Sequence, residues 1–216
     1  EIAPPITDEG NVPRYWPRPG RILSRAAGAH RFLWDLKHPI PAGFTRSYPI
    51  AAIKGQTDKE PDGVWVLPGR YQARLTVNGR RYTQPFAVRI DPRVTTSMVG
   101  LRQQYRLSSR ISATAGLLTA ADSALREARK RLAGQTVRAA VELDRALALL
   151  QGGGLPGGGP PSLSGLRGQL QQLYGAFQGA DVTPTTQLVA AATDRLAAAD
   201  RLLAEWERLR TGPLLR

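Results

Sequence analysis

The side chains of this chain that could do chemistry are concentrated in its first half: the carboxylates Asp35, Asp58, Glu60 and Asp62, the imidazoles His30 and His38, and the hydroxyls Ser24, Ser47 and Ser97. Two carboxyl groups facing each other across a bond, about 5 to 10 Å apart, are what hydrolysis of a glycoside requires. These four do not supply that pair. Asp35 lies between Trp34 and Leu36, alternates away from the aromatic face and is expected to pair with Arg31 or Lys37. Asp58, Glu60 and Asp62 read as a loop of solvated charges. His30 and His38 are eight residues apart, which on a strand puts them on one face but too far apart to share a metal. None of the serines belongs to a G-x-S-x-G turn. Gly152-Gly153-Gly154 and Gly157-Gly158-Gly159 lack the Lys-Ser/Thr and the preceding strand of a phosphate-binding loop. The expectation is therefore a chain without catalytic, metal or cofactor residues.

Binding is the better case, and aromatic rings carry it. Tyr15, Trp16, Trp34, Tyr48 and Trp65 could form a stacking platform for a sugar if two or three shared an exposed face. Trp34 and Trp65 have apolar neighbours in strand-like runs and are expected in the core. Tyr15 and Trp16, between prolines, and Tyr48 are freer, and they are the candidate interaction surface.

Charge and composition narrow the partners. The formal net charge is +13, which invites a nucleic-acid reading. The charge is spread, however, with a net of +6 over residues 1–92 and +7 over residues 93–216, and the only tight clusters are Arg80-Arg81 and Arg129-Lys130-Arg131. No zinc, homeodomain or RNA-binding signature accompanies them, so a solvated arginine-rich surface is the expectation and nucleic acid is not. No apolar run approaches the length of a membrane span, and cysteine is absent. The chain opens on Glu1 with no basic segment leading into an apolar one, which reads as a mature product or an excised fragment, the latter preferred.

The elements that must position these residues divide the chain in two. Leu67 to Val94 contains Asn78-Gly79, the dipeptide suited to the positive φ angles of a two-residue type I′ turn. With that loop Leu75 faces Tyr82, Ala73 faces Gln84 and Tyr71 faces Phe86. Tyr71, Leu75, Tyr82, Phe86, Val88 and Ile90 then share a face. Pro85, on the opposite face, marks an edge or bulged strand. Further short strands are expected at Arg21–Ser24, at His30–Pro39 with Phe32, Trp34 and Leu36 on one face, at Ile50–Lys54 and at Val64–Leu67. Four to six such strands argue for an immunoglobulin- or fibronectin-like β-sandwich over residues 21–94, preceded by an extended lead-in at 1–20.

Beyond residue 94 the period changes. Ile111, Leu118, Leu125 and Leu132 recur every seven residues, with Leu107, Thr114, Ala121 and Ala128 as a companion seam. Leu163, Leu166, Leu170, Leu173 and Phe177 form a second stripe, and Val189, Ala192, Leu196, Ala199, Leu203 and Trp206 a third. A shorter helix is expected near Val137–Leu150. Thr183 is placed as an N-cap with Pro184 at the first helical position. The fold class is thus α+β in two parts, the sandwich followed by an antiparallel bundle of three to four helices over 95–216, with a Gly/Pro-rich linker at 151–162.

The run HRFLWDLKHP, then VLPGRYQARLTVNGRRYTQPFAVRIDPRV, then DVTPTTQ opening the last helix resembles the C-terminal region of bacterial sortilin-like (VPS10-type) proteins with BNR repeats. The sharpest pieces are Arg31, Trp34-Asp35-Leu36, Pro68-Gly69-Arg70-Tyr71 and Asp91-Pro92-Arg93-Val94, within a similarity covering roughly residues 20–210. The resemblance implies a large secreted or periplasmic parent, often labelled a glycosyl hydrolase, whose β-propeller precedes this region. It implies that any sugar chemistry belongs to that propeller and that this chain is a non-catalytic accessory module packing against it or against an envelope partner. The alternatives are that the segment lines the sugar cleft of a glycoside hydrolase, or that it is an independent carbohydrate- or protein-binding module.

Overall fold

The computed structural model describes residues 12–18, 24–49, 53–152 and 161–215. Two strands, β1 (Gly69–Val77) and β2 (Arg80–Val88), are followed by four helices: α1 (Met98–Leu132), α2 (Arg138–Gln151), α3 (Leu163–Gln178) and α4 (Thr186–Arg210). The strands form one antiparallel pair. The expected turn and register are both present. Asn78 and Gly79 have φ of 49° and 78°, and Tyr71 pairs with Phe86, Ala73 with Gln84 and Leu75 with Tyr82.

The β-sandwich is not there. A sandwich needs two packed sheets, and the described residues contain one two-stranded sheet beside four helices. His30–Pro39 fails as a strand because Leu36 adopts φ of 62°, which breaks an extended run, and Asp35 bonds the backbone N–H of Lys37 across that bend at 3.2 Å. All that remains of pairing there is an isolated bridge between Lys37 and Trp65. Val64–Leu67 contributes only that bridge. Of the other expected strands, residues 21–23 and 50–52 lie outside the described residues, and Ser24, Ile53 and Lys54 are in no strand.

The core belongs to the bundle. α1 packs against all three other helices, and both of its seams are inside: Ile111 and Leu125 are fully buried, Leu118, Leu132, Thr114, Ala121 and Ala128 nearly so, with Leu107 packed at the margin. α1 starts nine residues before the periodic run from Leu107, capped by Ser97, whose side chain accepts from Gly100 N. Arg129, Lys130 and Arg131 occupy its last turn, where cations oppose the helix dipole, and Arg129 reaches Asp144 of α2 at 2.8 Å. The last helix begins later than Thr183-Pro184 suggests. Thr185 is its cap, bonding Leu188 N, while Thr183 sits against Gly100 at the start of α1. Residues 153–160 of the expected linker lie outside the described residues.

Candidate interaction surface

Between the lead-in and the hairpin, residues 24–49 and 53–67 run without helix or extended strand, and side chains of α3 hold several of them in place. Gln171 donates to the carbonyl of Thr45 at 2.7 Å and accepts its N–H at 2.9 Å, which replaces a strand partner with one amide side chain. Tyr174 donates to the Asp62 carbonyl at 2.7 Å, and Gln178 accepts the N–H of Trp65 at 3.0 Å. These three residues, at i, i+3 and i+7, lie on one helix face. Phe44 packs on Tyr174 with ring centroids 5.0 Å apart. Gly43, at φ of 94°, passes against the Ala115 carbonyl of α1, where a Cβ could not fit. Burial, and after it the Asp62 carboxylate, pushes the Tyr174 phenol far above its ordinary value, so it stays a donor.

An open groove of about 790 Å³ runs along this seam, lined among others by Lys37, Glu60, Asp62, Trp65, Gln172 and Gly175. Two of its charged groups, Lys37 and Asp62, are paired with one another. Lys37 contacts Asp62 at 2.7 Å and lies 4.5 Å over the Trp65 ring, and Arg46 approaches Asp62 at 3.6 Å. Asp62 is thus the centre of a half-buried charge cluster rather than a solvated loop residue. Asp58 pairs with Arg18 at 2.9 Å. Asp35 bonds backbone instead of Arg31 or the Lys37 ammonium. His38 meets the Tyr105 hydroxyl at 3.0 Å, and His30 bonds the Ala26 carbonyl at 2.8 Å. Among the described residues no three His, Cys, Asp or Glu side chains could hold a metal ion.

Among the described residues no ring contact joins Tyr15, Trp16 and Tyr48, the three aromatic residues singled out from the sequence. The backbone of Tyr15 and Trp16 accepts from Gly55 and Thr57, and the Tyr15 ring is 60% exposed. Trp16 is half-buried beside that loop. Tyr48 is also half-buried, with Lys59 over its ring at 5.3 Å. Trp65, expected in the core, is exposed. Its backbone N–H is held by α3, and its ring faces the groove.

The residues that do converge are on the hairpin. Trp34 meets Tyr71 and Phe86 edge-on at 5.7 and 6.0 Å, and Tyr71 stacks on Phe86 at 5.9 Å. Further contacts fix this cluster: Trp34 Nε1 donates to the Lys37 carbonyl and the Tyr71 hydroxyl to the Leu67 carbonyl. Trp34 covers the base of the apolar face, and at its tip the Arg80 guanidinium lies 5.4 Å from the centroid of the Tyr82 ring. Leu75 is 56% exposed, Tyr82 48% and Val77 46%, and Ile90 beyond the hairpin is exposed too. Neither strand packs on a helix. The other face of the sheet is basic and polar, with Arg70, Gln72, Arg74 and Thr76 on β1 and Arg81 and Thr83 on β2. A two-sided hairpin whose apolar side meets water is the most unusual surface of the molecule.

No family model, curated protein or solved structure matches this chain. Among the described residues, no helix is long and apolar enough to cross a membrane.

Proposed function

We propose that this chain is a non-catalytic accessory module that docks onto another polypeptide through the apolar face of its hairpin. The observation that supports this is the exposed row Leu75, Val77 and Tyr82 on a sheet whose register is set by its turn. An isolated two-stranded sheet is marginally stable in water, and its stabilisation comes from packing of one face. Burying each of these side chains would contribute on the order of 1.5 to 3 kcal/mol, enough for a small face to matter. The bundle acts as the scaffold, and α3 fixes the segment that carries Trp34 to the hairpin. The resemblance to sortilin-like BNR-repeat proteins supplies the partner: a β-propeller in a secreted or periplasmic setting, or a protein of the cell envelope.

The test is retention of the purified chain on an immobilised propeller of that family. The wild-type chain is expected to be retained, and the double variant Leu75→Asp/Tyr82→Asp to pass through with unchanged helical circular dichroism. Equal retention of both would refute the docking face. A second reading, in which the segment walls a sugar cleft, has the exposed Trp65 beside the groove in its favour. Affinity electrophoresis in polysaccharide gels separates the two, because a sugar wall is slowed and the slowing is lost in Trp65→Ala.

A further inference from the structure

The two edges of the hairpin are chemically unlike, and this tells from which side a partner enters. In a two-residue hairpin the pair closing the loop, here Val77 and Arg80, exchanges both of its hydrogen bonds, and inward and outward pairs alternate from there. Leu75 with Tyr82, Ala73 with Gln84 and Tyr71 with Phe86 are therefore inward pairs. Arg70, Gln72, Arg74 and Thr76 turn their N–H and C=O groups outward from β1. Arg81, Thr83, Pro85 and Ala87 do so from β2. Pro85 has no N–H, so the β2 edge lacks a donor in the middle of its row, a common protection against strand addition. The β1 edge has all four donors. All four residues are exposed, and among the described residues no hydrogen bond reaches their outward groups.

A strand laid along β1 would alternate its side chains between the two faces of the sheet. One set would extend the row Tyr71, Ala73, Leu75 and Val77, whose tip is exposed. The other would lie beside Arg70 and Arg74, with Arg81 on the neighbouring strand of the same face. That face selects carboxylates. A second copy of β1 is a poor occupant, because antiparallel pairing would set Arg70 and Arg74 of the two copies against each other.

We propose that the outer edge of β1 is a β-augmentation site for an extended partner segment alternating apolar and acidic residues. This rests on the hairpin being the docking face and adds the edge, the direction of approach and the chemistry of the occupant.

The probe is an eight-residue peptide alternating valine and glutamate, with blocked ends, added to the isotope-labelled full chain and followed by amide hydrogen exchange and chemical shift. Protection is expected at the amides of Arg70, Gln72, Arg74 and Thr76, with the β2 edge unchanged. A valine–lysine peptide of the same length should bind at least tenfold more weakly, and Arg70→Glu/Arg74→Glu should reverse that preference. Gln72→Pro, at an outward position opposite Pro85, should abolish binding while the inward ladder survives. Binding undiminished by Gln72→Pro, or protection on β2, would overturn the edge assignment yet leave the apolar docking face standing. Protection of the β1 amides that grows with chain concentration and no peptide would overturn it in favour of self-pairing. No binding at all, with Leu75 and Tyr82 still reactive to an apolar fluorescent dye, would overturn the edge proposal alone; loss of the dye signal too would remove both readings.

Discussion

The hairpin and the bundle contain similar apolar side chains and treat them in opposite ways. Leu118 on α1 is 1% exposed and Leu75 on β1 is 56% exposed, though each sits at an apolar position of a regular, amphipathic element. The difference lies in partners: α1 has three helices around it, whereas among the described residues the hairpin makes no helix contact and meets Trp34 at its base. Amphipathic patterning sets which face is apolar, and topology decides whether that face is covered.

Substituting matched residues in the two regions is the strongest way to break the comparison. Leu118→Ala removes a side chain from a closed core and is expected to cost about 2 to 5 kcal/mol by chemical denaturation. Leu75→Ala should stay within about 0.5 kcal/mol, as for an ordinary surface change. A comparable loss at both positions would mean that the hairpin is part of the folding core.

The seam between the two regions responds next. A Cβ on Gly63 would land on the carbonyl oxygen of His38, so Gly63→Ala must shift the backbone that leads to the hairpin. A loss of about 1 to 3 kcal/mol is expected in the same assay. Smaller still, Tyr174→Phe should cost about 1 kcal/mol through its bond to the Asp62 carbonyl. It also has a pH signature. Because burial raises the phenol's folded value above its unfolded one, its contribution is fully present below about pH 10, where unfolded tyrosine titrates, and declines as pH rises beyond that. Alkaline melting curves should therefore fall less steeply for the phenylalanine variant than for the wild type. Identical slopes would show that Tyr174 is not buried as described.

Much of both regions could be read from residues. Asn78-Gly79 fixed the hairpin register because only one pairing satisfies a two-residue turn, and the seven-residue recurrence from Ile111 to Leu132 marked the buried seam of α1. The expected sandwich rests on alternation alone. Phe32, Trp34 and Leu36 alternate as in a strand, but period-2 patterning does not distinguish a strand from an extended segment held by side chains. Leu36 in the left-handed region could not be foreseen from its type. The contacts of α3 with the preceding segment leave a signal in the sequence: Gln171, Tyr174 and Gln178 recur at helical spacing beside the stripe of Leu170 and Phe177. The exposed apolar row of the hairpin is hard to read from sequence for a related reason. Tyr15, Trp16 and Tyr48 stand out because they lie outside the expected strands, whereas the exposed apolar row Leu75, Val77 and Tyr82 lies on β1 and β2 themselves, where alternation reads as a core face.

Thermal denaturation of the double variant Leu75→Asp/Tyr82→Asp, followed by helical circular dichroism, tests the central claim most directly. An uncovered face that takes no part in holding the bundle predicts a melting temperature within about 2 °C of wild type, together with loss of apolar dye binding. A fall of about 10 °C or more would contradict it, because those side chains would then be holding the fold together rather than awaiting a partner.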